Sequence, residues 1–368
     1  MNWTIDQVIR LRMARQGLSH PLTEATDEEA YLSMFKSLQP VAPVFFGRPG
    51  EPPSLVHRTV FNDSNIAFYL REKHVIVKSR FQDGRVAYVS EDDLQLYATA
   101  FRKVPAQMSQ VHEDVYKAVK QSGGLTKDQL KEILPYTAKE IGAALQALQQ
   151  AFLLVEEQVD SEWETGWLDF AEQWFEIPTD ETSRLEAIEE VLIRFVKVMV
   201  FTDMEQFKSW SGFTAKTIKM VVDSALQTGK LMATEVGGIG EGWMCATDFD
   251  RSSKNNQDNS ETGKKELNPS LPRSVFMLDK SDFLVRAFLS QLKKRYSGKE
   301  VLQYLLIDGQ FQGAVLGHWR IGPHDVEDII VDLPQEEVAS RKNEIINAVT
   351  YRYPPEFSKI KAYNGVVI

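Results

Sequence analysis

Thr137–Ile141 reads TAKEI, and Thr214–Ile218 reads TAKTI, the same pattern 77 residues later. In that register Asp128-Gln129-Leu130-Lys131 meets Glu205-Gln206-Phe207-Lys208. Val115, Val119 and Ile141 likewise meet Leu192, Val196 and Ile218, and each copy ends in a Gly-Trp pair, Gly166-Trp167 and Gly242-Trp243. One short identity arises by chance; several in one register, with matching apolar spacing, mark an internal repeat. In the second copy Ile188–Val200 carries a helical stripe, Asp203–Trp210 makes a short helix, and Ser211-Gly212 breaks it. Thr214 caps a third helix that Gly229 ends. Leu231–Val236 and Trp243–Thr247 then form a hairpin around Gly237-Gly238-Ile239-Gly240. Helix-turn-helix followed by a β-hairpin predicts a winged helix, whose third helix commonly enters the major groove.

Outward from the repeat, Ile5–Gln16, Glu28–Leu38 and Ser64–Arg71 read as helices and Val75–Arg80 with Val86–Ser90 as strands, a less regular third copy. The Pro/Gly-rich stretch Pro40–Pro53 between them is of the kind that lines a site. Beyond Asp250–Pro269, polar enough to read as a linker, come the strand-like runs Val275–Leu278, Tyr304–Ile307, Ala314–Arg320 and Ile329–Val331. A helix near Gln335–Ala348 and an extended tail follow. The predicted fold class is α+β, with tandem winged-helix (helix-turn-helix) domains and a small C-terminal β-barrel-like domain. Its expected parts are residues 1–104 (winged-helix-like), 105–180 and 181–249 (winged helices), 250–272 (flexible linker) and 273–368 (β-rich).

The 368 residues carry a net charge of −10, which at first opposes nucleic-acid binding. Residues 151–190 alone hold 13 acidic residues and one basic residue, Arg184. The rest of the chain then has 41 basic against 39 acidic residues, leaving room for a basic face. The acidic segment suits a protein partner instead, and its Trp163, Trp167 and Trp174 read as core or partner contacts. No apolar run reaches 18 residues, and the N-terminus lacks a signal-peptide pattern. Cys245 is the only cysteine, so an internal disulfide is excluded and a cytoplasmic location is expected. The six histidines have no metal spacing and no glycine loop ends in Lys-Ser/Thr. Neither a metal nor a cofactor is expected.

Four segments in order resemble the winged-helix DNA glycosylase family, the AlkZ/YcaQ-like proteins. They are ARQGL at Ala14–Leu18, Leu38-Gln39, Phe207-Lys-Ser-Trp-Ser-Gly-Phe213, and Leu305-Leu-Ile-Asp-Gly-Gln-Phe-Gln-Gly313 with His318-Trp319-Arg320. The resemblance implies tandem winged helices plus a C-terminal β-barrel, duplex DNA as partner, and excision of alkylated bases or unhooking of crosslinks. It places a catalytic Gln-x-Gln (or Gln-x-Asp) pair at Gln39-Pro40-Val41, where Val41 cannot orient a water. A second family segment, Arg-Gly-Thr-x-His, aligns with Asp83–Ala87 and ends in Ala87. The chain therefore reads as a divergent DNA-binding member with reduced or lost excision, and Gln39 is its candidate catalytic residue. An active enzyme would need a replacement polar group, for which Asp83 and His57 are candidates; a nucleic-acid-free interaction module is the third reading. DNA-contact candidates are Arg80 and Arg85 on the first hairpin, Lys216 and Lys219 in TAKTIK, Lys293-Lys294-Arg295, and Trp319-Arg320. Each also has an ordinary reading as a solvated or core residue.

Overall fold

The computed structural model describes residues 3–43, 52–158, 165–249, 273–318 and 325–368. The fold is mixed α+β, and its first element is a two-residue strand, β1 (Trp3–Thr4). Thr4 caps α1 (Ile5–Arg15) through a reciprocal box with Gln7. Then come α2 (Glu28–Leu38), α3 (Ser64–Glu72), the hairpin of β2 (Ile76–Phe81) and β3 (Arg85–Ser90), and α4 (Leu94–Phe101). Backbone bonds in both directions between Val41 and Tyr88 tie the segment after α2 to this hairpin.

The two repeat copies have corresponding elements. In the first are α5 (Gln110–Ser122), β4 (Leu125–Thr126), α6 (Lys127–Ile133), α7 (Ala138–Gln150), β5 (Leu154–Gln158) and β6 (Thr165–Asp169), followed by α8 (Phe170–Gln173). In the second are α9 (Glu181–Met199), β7 (Phe201–Thr202), α10 (Met204–Ser211), α11 (Ala215–Gln227), β8 (Leu231–Gly237) and β9 (Gly240–Cys245). Thr137 and Thr214 accept the capping bonds at α7 and α11. The register-matched apolar residues Val115, Val119, Leu130, Ile141 and Leu192, Val196, Phe207, Ile218 are all fully buried. Both sheets also share a strand order, β4-β6-β5 and β7-β9-β8, and β1 joins the outside of β8 in parallel. Gly242 is required at its place in β9, because a Cβ there would lie 2.3 Å from the Thr202 carbonyl oxygen.

The C-terminal part combines β10 (Val275–Leu278), α12 (Phe283–Arg295), β11 (Val301–Ile307), β12 (Gln310–Leu316), β13 (Asp328–Val331), β14 (Ala362–Tyr363) and β15 (Val366–Val367). These strands pair in chain order from β10 at one edge to β15 at the other, so among the described residues the sheet is open and not a closed barrel. Its β11–β12 turn has positive φ at Asp308 and Gly309, and a Cβ at Gly309 would strike Ile9 of α1. The helix expected over Gln335–Ala348 is two helices, α13 (Gln335–Ser340) and α14 (Lys342–Thr350). Arg341 at the break is buried and binds Asp308, Glu344 and the Ser274 carbonyl, a set of partners that positions it off a straight helix. The proposed linker lies outside the described residues, as do Trp163, Trp319 and Arg320.

Packing joins these parts unequally. One apolar cluster runs from α1–α4 through α9–α11 into α12 and β11. Phe101, Phe195, Phe207, Trp210, Phe213 and Phe283 form its aromatic centre, with neighbouring rings at centroid separations such as 4.9 Å for Phe195–Trp210 and 5.4 Å for Trp210–Phe283. The first repeat copy has its own cluster around Val115, Leu145 and Trp167. Its acidic strand β5 faces the first hairpin, where Glu156 pairs with Lys78 at 3.2 Å, and Glu157 lies 3.6 Å from His74 just before that hairpin. Lys120–Asp169, Lys230–Glu189 and Arg194–Glu190 use more of the same acidic segment internally.

Candidate active-site cavity and nucleic-acid face

Residues from the two ends of the chain enclose a cavity of about 510 Å³. One wall is built from Leu38, Pro40–Ala42 and the stretch Pro52–Ser64; the other from Met277–Asp279, Ser281–Phe283, Gln303 and Tyr351-Arg352. Asp63 makes the first wall rigid. Its carboxylate accepts from the Tyr31 hydroxyl (2.9 Å), the Ser54 hydroxyl (2.6 Å) and the Leu55 N–H (2.7 Å). Arg58 fastens that wall to the second through Asp282 at 2.5 Å. Both partners are largely buried, so the pair is shielded from salt.

His57 projects from the same wall with φ +65°. Its Nε2 lies 3.0 Å from the Met277 carbonyl oxygen. A carbonyl only accepts, so Nε2 carries the proton and Nδ1 presents a lone pair. Burial pushes the imidazole pKa down, outweighing the stabilising bond to Met277, and favours the neutral ring. Asp279 stands on the second wall, where burial pushes its carboxyl up against the lowering effect of two bonds from Ser281. Exposed aliphatic and aromatic groups rim the opening: Val60, Phe68 and Tyr351.

Gln39 does not line this cavity. It is 1% exposed, its Nε2 donates to Asp93 at 2.5 Å, and its Oε1 accepts from the Ser90 N–H at 2.8 Å. Tyr97 donates to its carbonyl as well. Gln39 thus ends α2 by clamping it to β3 and α4, while Val41, two residues on, faces the cavity. Ala87 is buried beside Tyr88, the backbone partner of Val41. The two apolar departures from the family motifs are therefore neighbours in space. Of the two candidate polar replacements, His57 is in the cavity. Asp83 is not; it sits in the β2–β3 turn against Gly212, where an added Cβ would meet its carboxylate. Gln39→Ala leaves the Ser90 N–H unsatisfied and removes a donor from Asp93. We expect a loss of about 2–3 kcal/mol, read as a lower unfolding midpoint; an unchanged midpoint contradicts the clamp.

The cationic candidates separate into engaged and free groups. Arg80 is tied to Gln149 at 2.9 Å and to the Gly84 carbonyl at 3.0 Å, so the hairpin uses it internally. Lys294 pairs with Glu205, and Arg295 donates to the Phe311 carbonyl. Arg85, Lys216, Lys219 and Lys293 are exposed. Beneath Arg85 lies Arg286, almost wholly buried, with only its Nη2 bonded, to the Trp210 carbonyl. Desolvation, with a contribution from Arg85, pushes Arg286 down to about 9. Sequence reasoning did not single out Arg286, because a lone arginine in an apolar helix carries no motif. The hairpin of the second copy repels phosphate by charge, since Glu235 and Glu241 face each other across β8 and β9.

Among the described residues no group of three or more His, Cys, Asp or Glu could hold a metal ion. None of the described helices is long and apolar enough to cross a membrane.

Comparison with known proteins agrees with the fold. No curated protein matches the chain. The solved structure of Streptomyces sahachiroi DNA glycosylase AlkZ is similar over 98% of this chain and 99% of that one, with a TM-score of 0.63. At 15% identity this likeness shows the fold alone. A family model described as DNA glycosylase AlkZ-like matches residues 71–260, more than half of the chain. The chain belongs to the AlkZ-like DNA glycosylase family.

Proposed function

We propose that this protein binds duplex DNA through two tandem winged-helix units, 105–180 and 181–249, and receives an extruded, alkylated nucleobase in the cavity beside Val41. The observation that carries this reading is the cavity itself, with Val41, His57 and Asp279 on its walls and exposed aromatic groups at its mouth. A modified base must leave the stack before an enzyme reaches its glycosidic bond, and aromatic side chains stabilise the extruded ring by stacking. Helix α11 takes the place of the recognition helix, with Lys216 and Lys219 exposed on it and Arg85 on the neighbouring hairpin. Lys293 on α12 extends the set. The resemblance assigns water orientation to a polar pair, but Val41 has no polar atom and Gln39 is already bonded. Hydrolysis by that pair is therefore reduced or lost. Gln39 acts as a positioning residue for the Pro40–Val41 segment.

The competing reading, an interaction module held by the acidic segment, is weakened by the internal pairing of Glu156, Asp169, Glu189 and Glu190. The test of base capture uses duplexes with 2-aminopurine beside an alkylated purine. Binding should raise 2-aminopurine fluorescence on the alkylated duplex well above its value on the plain duplex. Equal signals on both contradict extrusion into the cavity.

A further inference from the structure

We propose that Asp279 is the general base of this cavity, cleaving the N-glycosidic bond of the captured nucleotide from the wall opposite Val41. The inference rests on the duplex-binding reading above and adds a chemistry that the family-motif positions do not supply. Three carboxylates line the cavity among the described residues: Asp63, Asp279 and Asp282. Asp63 uses both oxygens on Tyr31, Ser54 and Leu55. Asp282 uses both on Arg58, and one of them also caps α12 through the Leu284 N–H. Asp279 alone of the three is differently placed. Its Oδ1 accepts from the Ser281 N–H at 2.8 Å and the Ser281 hydroxyl at 2.7 Å, while its Oδ2 has no hydrogen-bond partner among the described residues. The carboxylate is thus oriented through one oxygen and has the other available.

The turn that carries Asp279 lies against the segment that follows Val41, for the Ser281 hydroxyl is 3.5 Å from the Pro43 carbonyl oxygen. The missing polar function at position 41 is in this way met from the other wall. His57 reaches the same cavity with its Nδ1 lone pair free of any partner among the described residues, so it can accept a hydrogen bond from the second O–H of a water held by Asp279, the proton of which stays on that oxygen. Arg352 lines the same wall and its charge supports the ionised carboxylate, while burial makes that carboxylate more basic.

The step balances without a further reactant. Water gives a proton to Asp279 Oδ2 as its oxygen bonds to C1′ of the sugar. The bond from C1′ to the base nitrogen breaks, and its electron pair passes into the ring. An N7- or N3-alkylated purine is cationic, so it departs neutral and needs no acid. The products are the free base and an abasic sugar, and Asp279 returns its proton to solvent.

The experiment uses the full-length protein and duplex DNA containing 7-methylguanine, with binding and released base measured separately. Asp279→Asn keeps an acceptor for Ser281 and should reduce base release by about 100-fold or more, with duplex affinity within about threefold of the wild type. Asp279→Ala should show the same loss and recover part of the rate in added formate, which a merely structural role would not allow. Base release by Asp279→Asn at the wild-type rate overturns the inference. So does a wild-type protein that binds the duplex and releases no base, and that result leaves the binding function standing. A wild-type protein that fails to bind duplex DNA contradicts the binding function instead.

Discussion

Asp63→Ala should destabilise the protein by about 3–5 kcal/mol, the sum of the buried donors it strands. Tyr31 is completely buried and Leu55 nearly so, and both donate to this one carboxylate. Ser54 supplies a third donor at 2.6 Å. Tyr31 has no exposed surface, so loss of its acceptor is close to the full cost of an unsatisfied buried group. Asp63→Asn should lose less, since the amide oxygen still accepts while its nitrogen opposes one of the donors. Urea unfolding measures both. Because Asp63 shapes the cavity wall, the 2-aminopurine signal should fall further than plain-duplex affinity. A change under about 1 kcal/mol in Asp63→Ala means that the wall is held by other contacts.

The second large effect concerns charge. Lys216 and Lys219 are exposed at the start of α11, where a recognition helix meets the duplex. If each neutralises one phosphate, the double variant Lys216→Ala/Lys219→Ala flattens the slope of log K against log salt by about 1.8. Affinity at low salt should fall by about tenfold or more. Replacing Arg80 should leave the slope unchanged, because its guanidinium is committed to Gln149 and Gly84. Equal salt slopes for the wild type and the double lysine variant would remove α11 from the interface.

The TAKEI/TAKTI register is the most legible feature of the sequence. Its apolar residues are core residues in both copies, and a capping threonine followed by an apolar period announces α7 and α11 without any tertiary information. Long-range features were hidden. The break at Arg341 depends on Asp308, more than thirty residues away, and β14 exists because Tyr363 finds Ile329 in parallel. Helix α12 was read only as a basic end, since its apolar residues had no visible partner until α10 packed against it.

The candidate site was legible in part. The sequence points to the Pro-rich stretch as a site wall and to His57 as a candidate. His57 lines the cavity, as do Pro40–Ala42 and Pro52-Pro53 at the stretch's two ends, while residues 44–51 lie outside the described residues. Gln39 was drawn from a motif, yet its side chain turns to Ser90 and Asp93, a pairing no local pattern reveals. Asp279 has no motif at all. Its distinction comes from what its neighbours do with their own oxygens. The family match over residues 71–260 includes none of the cavity residues, so family membership and cavity chemistry rest on separate observations.

The most direct test of the account is the affinity of the purified protein for plain and alkylated duplex DNA at about 50 and about 200 mM salt. The account predicts binding that weakens steeply with salt, tighter on the alkylated duplex at both concentrations. Affinity that is absent, or that ignores salt, would contradict it.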